Sequence, residues 1–522
     1  MIDLSESGLD ELFRHDLSSI EFQIYFDAMK HELLASNAVA TTLIAHVVQS
    51  NDSRPDAIVI FGLLLDEARM GIENDSAYGK AFLTNAERAI AAQMAAGACG
   101  PLDLMKIAAL YRRAGLPVPD LLIIDPGEAE IPAEVPVPDL DQALAILAAD
   151  IKAEGGGPYE FFNGLNEMTA GLPEKMQAGL VHHLASLDDP LSESCALYWL
   201  LSGPSLVQQA AAAGLHTKLT RTSLQVETLF YLPIIRGWLP AGTARAIVDD
   251  IGQLARRKGL FGAPGRDKVE SIVGDIMASV TDGVGAQSIA MVGKRNKQTF
   301  VAMILLKTGY GIKDAFVIRC RSKREANSIV SYTREEANGL RIDRMTAELL
   351  LEAALADGLR NGSMPAPGFI DVMEACDLNG LRPQERDLQA LLDYADPQRD
   401  VQTATPEQLD LMLNDDQALD ALLPLIDSWF EDTGETRTIM RRSHSARTAE
   451  TKIWAFLDGR RDIWARRFLQ TAMILRSAKK KDPSKTLTAA AFALMQKYPL
   501  QDIPLMENIV FTTLEAGSAG LE

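Results

Sequence analysis

Cationic side chains collect near two turns of one short segment, where their spacing could support anion binding. Residues 288–324 hold nine Lys or Arg residues against the single carboxylate of Asp314. Lys and Arg side chains bind phosphate, carboxylates and nucleic-acid backbones. The alternative is a solvated surface that faces acidic parts of the same chain. The candidate anion- or partner-binding residues, called the basic rim below, are Lys294, Arg295, Lys297, Arg321, Lys323 and Arg324.

A second basic segment, residues 437–485, holds 14 Lys or Arg residues and 4 Asp or Glu residues. Its arginines alternate with Trp454, Phe456, Trp464 and Phe468, and aromatic side chains beside arginine can stack nucleic-acid bases. The same aromatics follow a helical apolar stripe, which indicates core packing beside a solvated basic face. The possible second basic site consists of Arg441, Arg442, Arg460, Arg461, Arg466 and Arg467.

The sequence does not match known catalytic or metal-binding motifs. Gly293-Lys294 is not followed by Ser or Thr and so lacks the pattern of a phosphate-binding P-loop. His182 and His183 are adjacent, about 100° apart on a helix, and cannot chelate one metal ion as an i, i+4 pair can. The four cysteines form no C-x-x-C pair, which favours a reducing compartment. We therefore expect no catalytic residue, no metal and no cofactor.

The basic rim requires strands to position it. "TFVAMILLK" (299–307) is apolar on both alternating faces, and "SIAMV" (288–292) and "DAFVIRC" (314–320) flank it. These segments predict a three-stranded antiparallel meander near residues 284–321, covered by helices on both faces and joining two helical halves. The turn after the first strand and the end of the third strand lie at the same edge of such a meander. That edge gathers the basic rim.

Helical periodicity dominates the rest of the chain, so the predicted fold class is mainly α, with irregular helical stacking and a small β insert. Thr84 with Glu87 resembles a capping box, and Gly97 a helix stop. Pro101 and Gly115 predict the start and end of the next helix.

One stretch resembles a known repeat. In "LASLDDPLSESCALYWLLSGPSLVQQAAAAGL" (184–215) an Asp-Pro turn opens a helix, a Gly-Pro turn follows, and an Ala-rich helix packs back. This order of turns and helices resembles a HEAT-type repeat over about thirty residues. The resemblance implies stacked helices with extended binding surfaces.

Prolines and charge divide the chain further. Six prolines lie between Pro117 and Pro138, which suits a linker, and residues 1–150 hold 9 Lys or Arg against 24 Asp or Glu. The predicted organisation is an acidic helical N-terminal domain (1–115), a Pro-rich acidic linker (116–138), a HEAT-like helical region (139–283), a small β-meander (284–335) and a helical C-terminal domain (336–522) that contains the basic segment 437–485.

Composition bounds the function. A net charge of −20 argues against general nucleic-acid affinity of the whole molecule. The polar, acidic N-terminus is unlike a secretory signal, and apolar runs such as residues 57–65 are about half the length of a membrane span. These features predict a soluble cytoplasmic protein that makes no use of a membrane.

The function we expect is a non-catalytic helical interaction or regulatory scaffold that binds a protein partner. One alternative is binding of nucleic acid or another polyanion through the basic rim and the Arg-rich C-terminal helices. A second alternative is an enzyme whose site is assembled from residues far apart in the sequence.

Overall fold

The structure is a computed structural model, and it describes residues 8–9, 11–17, 19–48, 56–73, 77–123, 140–153, 156–260, 271–336 and 338–519. The chain divides into two compact units, residues 1–184 and residues 185–522.

Among the described residues, the first unit contains helices and no strand. Its helices are α1 (Ile20–Ala35), α2 (Asn37–Val48), α3 (Asp56–Glu73), α4 (Ala77–Ala95), α5 (Pro101–Arg113), α6 (Leu140–Ala153), α7 (Pro158–Met168) and α8 (Glu174–Ser186), the last of which crosses the division between the units.

Three of the predicted helix boundaries in this unit are confirmed and one is wrong. Gly97, with a φ of +68°, follows the end of α4. Helix α5 starts at Pro101, and Gly115 follows its end with a φ of +70°. Thr84, the predicted N-cap, instead lies inside α4, where its hydroxyl donates to the backbone oxygen of Lys80 at 2.9 Å. A threonine that bonds back to the preceding turn satisfies its hydroxyl without ending the helix.

The first part of the predicted linker belongs to the core of this unit. Leu116 and Leu122 are buried with the N-terminal core, and residues 120–122 form a 3-10 turn. The linker prediction is therefore wrong for residues 116–123. Residues 124–138 lie outside the described residues.

The second unit contains a sheet between groups of helices. Its helices are α9 (Pro190–Trp199), α10 (Ser205–Arg221), α11 (Val226–Arg236), α12 (Thr243–Arg257), α13 (Lys323–Glu336), α14 (Arg344–Arg360), α15 (Phe369–Cys376), α16 (Leu388–Ala395), α17 (Pro406–Leu413), α18 (Asp416–Leu422), α19 (Gly434–Arg442), α20 (Ala446–Asp458), α21 (Arg461–Ser477), α22 (Lys481–Met495) and α23 (Pro504–Ala519). Its strands are β1 (Ser271–Ala278), β2 (Ala286–Arg295), β3 (Gln298–Lys307), β4 (Gly311–Cys320) and β5 (Leu340–Ile342).

The mainly α fold with a small antiparallel sheet is confirmed. Strands β2, β3 and β4 form the predicted meander, and the sheet has the order β4-β3-β2-β1-β5 with antiparallel neighbours. Two strands were missed: β1 lies in the predicted HEAT-like region and β5 in the predicted C-terminal domain. Gly274 sits at a bulge within β1, and β5 has only three residues, so neither carries a clear alternating pattern.

Both faces of the sheet are covered, as the apolar pattern of β3 predicts. On one face, Val292 and Val301 pack against Ala326 of α13. Helices α14 and α15 also pack against the sheet, and Phe300 and Ile304, which lie on the opposite face of β3, are buried. The meander is therefore held on both sides.

Aromatic side chains organise the C-terminal helices. Trp429 stacks on Phe468 at 5.4 Å between ring centroids and meets Trp464 at 5.8 Å, and all three side chains are fully buried. The stripe predicted on α21 is thus a core stripe. The burial of these aromatic side chains therefore favours core packing over stacking on nucleic-acid bases.

Candidate anion-binding rim

The hairpin between β2 and β3 brings the two halves of the basic rim together. Asn296 and Lys297 have φ values of +48° and +66°, as in a two-residue type I′ turn. Thr299 pairs with Lys294 on one side and with Cys320, the last residue of β4, on the other. The structure therefore places the turn and the exit of β4 at one edge, as the meander geometry requires.

Most of the rim is open to solvent. Arg295 is half-buried and forms an ion pair with Glu374 of α15 at 2.5 Å. Within the described residues, the other rim cations are exposed and have no carboxylate within 4.0 Å; they are Lys294, Lys297, Arg321, Lys323 and Arg324. Five uncompensated cations thus share one edge of the sheet.

Three of these cations stand where a helix disfavours them. Lys323 and Arg324 occupy the first turn of α13, and Arg321 precedes it. The N-terminus of a helix carries a partial positive charge, so each cation there costs about 0.3–1 kcal/mol. Glu325 is the acidic residue of this turn, and its carboxylate is engaged by the backbone N–H of Arg321 at 2.7 Å.

The arrangement suits a bound anion. Ser322 caps α13 by accepting from the N–H of Glu325 at 3.2 Å, and the first-turn backbone N–H groups of Lys323 and Arg324 have no acceptor among the described residues. Helix N-terminal N–H groups beside cationic side chains are a common anion-binding arrangement. The paired strands that carry the rim span about 10 Å, so the rim fits a compact anionic group.

The possible second basic site does not form one surface. Arg441 and Arg442 are exposed at the end of α19. Arg460 and Arg461 form ion pairs at 2.7 Å with Glu431 and Asp458, respectively. These four residues therefore differ in whether they can bind an external group.

Arg466 and Arg467 are also engaged within the fold. Arg466 donates to the backbone oxygen of Arg386 at 2.9 Å, and Arg467 lies over the Trp464 ring at 4.5 Å. Burial lowers the pKa of Arg467, while Glu431 opposes that shift. A site built from all six arginines is thus not present, because α21 turns its arginines toward the core contacts of the unit.

Glu431 accounts for the internal position of Arg460, and sequence reasoning missed it. Its carboxylate is buried and accepts from Arg460 at 2.7 Å and from the indole N–H of Trp464 at 2.9 Å. A lone glutamate about thirty residues before its partners gives no spacing signal. Only the fold brings them together.

Thiol and metal chemistry find little support. Burial raises the pKa of Cys376 to about 12, and burial also raises the pKa of Cys99 and Cys320. Raised pKa values disfavour the thiolate that a nucleophile or a metal ligand requires. Within the residues that the structure describes, no three His, Cys, Asp or Glu side chains could hold a metal ion together.

Comparisons with known proteins place the chain in a family. It is 64% identical over 517 residues to "Uncharacterized protein y4lR" of Sinorhizobium fredii (strain NBRC 101917 / NGR234), with 99% of each chain covered. This chain belongs to the y4lR family. Family models match it in four segments: an N-terminal domain of y4lR (3–119), a second domain (173–259), a domain of unknown function, DUF7401 (268–376), and a C-terminal helical domain of y4lR (389–518). No solved structure matches.

The matched segments follow the helices and strands of this chain. The DUF7401 segment, residues 268–376, contains the whole sheet with α13, α14 and α15, and hence the entire basic rim. No HEAT-repeat family is found, so the resemblance of residues 184–215 stays a prediction. The helices that the structure describes include none that is both long and apolar enough to span a membrane.

Proposed function

We propose that this y4lR-family chain is a non-catalytic interaction scaffold that holds an acidic segment of a protein partner at the basic rim. The observation that carries the proposal is the set of five exposed cations without a carboxylate partner in the described residues, gathered at the positive end of α13. A protein that keeps an electrostatically unfavourable arrangement on its surface commonly does so at a functional site. The proposed location is cytoplasmic.

Size and charge favour an acidic protein segment over nucleic acid. The rim is about 10 Å across, and the whole chain carries a net charge of −20. A long polyanion would extend beyond the rim toward surfaces that repel it, whereas a short acidic segment would not. At about 0.15 M salt, interactions between exposed charges are largely screened beyond about 8 Å. A short acidic segment bound at the rim therefore interacts electrostatically mainly with the rim cations.

The scaffold part of the proposal rests on the helices around the sheet. Helices α9 and α10 pack together after Asp-Pro and Gly-Pro turns, which is the arrangement that suggested a HEAT-like surface. Such helical surfaces would add contact area to the charge contacts of the rim. Affinity would then come from both, with the rim supplying orientation and a faster association rate.

The experiment compares two charge-matched variants of the full chain. The rim variant carries Lys294→Gln, Lys297→Gln, Arg321→Gln and Arg324→Gln. The control variant carries Arg441→Gln, Arg442→Gln, Arg447→Gln and Lys452→Gln, all exposed residues of α19 and α20. Both variants lose the same charge, so a difference between them reports position.

Each protein is copurified from its native cells at low salt, with and without nuclease, and then titrated with a labelled Glu-rich peptide and a labelled single-stranded oligonucleotide. A stoichiometric protein that survives nuclease and is lost only from the rim variant, together with peptide binding lost in the same variant, supports the proposal. Oligonucleotide binding that depends on the rim, and that weakens on the order of several hundredfold between about 50 and about 200 mM salt, would assign the rim to nucleic acid instead. Equal binding by both variants would refute a role for the rim.

A further inference from the structure

A cavity of about 110 Å³ lies at the end of the sheet opposite the basic rim. It is lined by the β3–β4 turn, by α14, by the segment before α16 and by α21. Strand β3 separates it from the rim by about 30 Å of extended chain. The two sites are therefore independent in space.

The β3–β4 turn forms a firm wall of this cavity. The backbone N–H of Gly309 donates to Asp357 of α14 at 2.6 Å. Gly311 has a φ of +82°, and a Cβ there would lie 2.9 Å from the Cα of Gly358, so the turn packs directly on the helix backbone. The cavity is thus fixed by close backbone contacts.

The carboxylates around the cavity are already engaged. Asp357 accepts from Gly309 and pairs with Arg360 at 3.3 Å, and Glu385 pairs with Arg360 at 2.6 Å. Glu352 accepts from Arg386 at 2.6 Å. Each of these carboxylates therefore already has a partner within the fold that balances its negative charge.

Two guanidinium groups keep unused donors. Within the described residues, Arg466 has no carboxylate within 4.0 Å; its bond is to the backbone oxygen of Arg386. The Arg386 side chain is 9% exposed, and its Nη1 is buried without a hydrogen-bond partner there. Gln470 lies one turn after Arg466, also lines the cavity, and makes no hydrogen bond to any described residue.

We infer that this cavity binds a small oxyanion of about the size of phosphate. A buried guanidinium nitrogen left without an acceptor is destabilising, and a bound oxyanion would supply that acceptor. Arginine matches the oxygens of phosphate and carboxylate with paired N–H donors. Lys307, which is 8% exposed, adds positive charge, and Gln470 adds a neutral amide donor. The inference does not depend on the function proposed for the rim.

The test uses the full chain and inorganic phosphate, with chloride at matched ionic strength as the reference. Calorimetric titration and the phosphate-induced shift in melting temperature are measured for the natural sequence, for Arg466→Gln, for Gln470→Leu and for Arg447→Gln, an exposed position of α20. We expect phosphate to bind the natural sequence and Arg447→Gln alike. The dissociation constant should rise at least about tenfold in Arg466→Gln, which loses a charged donor, and less in Gln470→Leu.

Circular dichroism establishes that each variant is folded, and Gln470→Leu decides the question if Arg466→Gln does not fold. Phosphate that binds the natural sequence no better than chloride does would overturn the inference. So would phosphate binding that is unchanged in both cavity variants. Binding that survives these variants but is lost from the rim variant would place the phosphate at the rim and reject the cavity, while leaving the proposed function standing.

Discussion

The indole N–H of Trp429 donates to the backbone oxygen of Thr281 at 2.7 Å, and this bond ties the loop after β1 to the C-terminal helices. Nearby, the backbone N–H of Gly283 donates to the Ser428 hydroxyl at 3.3 Å. Because Trp429 also stacks on Phe468, the loop is fastened to the buried aromatic cluster. The loop after β1 therefore connects the sheet to the core of the C-terminal helices.

The central helices attach to the sheet from another side. The Tyr198 hydroxyl of α9 donates to Asp371 of α15 at 2.8 Å, and Trp238 packs on Phe369 at 5.5 Å between ring centroids. Helix α15 in turn packs against the strands. Within residues 185–522, the sheet thus joins two groups of helices.

Replacing Trp429 by phenylalanine should remove the bond to Thr281 together with part of the buried ring system that packs on Phe468. The substitution leaves the Thr281 carbonyl without its donor and a cavity in the core, so we expect a loss of about 2–5 kcal/mol in the free energy of unfolding. Urea denaturation followed by circular dichroism measures it. Trp454→Phe, at a half-buried indole, is the control and should change stability by no more than about 0.5 kcal/mol. Similar losses in both variants would deny the bond a specific contribution.

Gly283→Ala should destabilise the protein through a direct clash. A Cβ at this position would lie 1.8 Å from the backbone oxygen of Ser428, so either the loop or residue 428 must move. We expect a loss of more than about 3 kcal/mol, because overpacking against backbone has no flexible side chain to absorb it. Gly252→Ala in α12 is the matched control: it meets open space, and replacing a helical glycine should stabilise by about 0.5–1 kcal/mol. If Gly283→Ala melts like the natural sequence, the loop is not held as described.

Sequence patterns predicted the fold where local chemistry and burial agree. The two-faced apolar pattern of β3 predicted a covered central strand, and Pro101 and Gly115 lie at the start and just after the end of α5, as predicted. Predictions from local sequence were wrong where contacts between distant residues determine the structure. Thr84 has the chemistry of a cap but sits inside α4, and β1 carries a bulge that hides its alternation.

The candidate site divides in the same way. The basic rim could be predicted because it depends on strand pairing between neighbours in sequence, and the pairing of Thr299 with Lys294 and Cys320 follows from that. The cavity could not be predicted, since Arg386 and Arg466 are far apart in sequence and meet only through the packing of α16 on α21. Charge counts alone placed Arg466 and Arg467 on one basic surface, whereas both are half-buried and contact different groups of the fold.

The buried ion pair between Lys218 and Glu193 offers a third test. Their side chains are 4% and 0% exposed, and the Nζ to Oε2 distance is 2.7 Å. Lys218→Met would leave a buried carboxylate without its cation, so we expect a loss of about 3–5 kcal/mol. Adding Glu193→Gln should recover much of that loss, because an amide oxygen can still accept from the N–H of Gln225, which now donates to Glu193 at 2.7 Å. A double variant no more stable than Lys218→Met, measured by denaturant unfolding, would contradict the pairing.

Cys376 should make the stability of the protein depend on alkaline pH. Burial raises the pKa of its thiol from its usual value of 9.0 to about 12. Between these values the unfolded chain releases the thiol proton while the folded chain retains it, so stability is retained below about pH 9 and falls as pH rises toward 12. The loss due to this group should approach about 1.4 kcal/mol per pH unit.

Urea unfolding at a series of pH values between 8.5 and about 11 should therefore give a flatter pH dependence for Cys376→Ala than for the natural sequence. Cys99→Ala, at a half-buried thiol, is the control and should leave most of the slope in place. Parallel pH profiles for Cys376→Ala and the natural sequence would mean that this thiol titrates alike in the folded and unfolded chains.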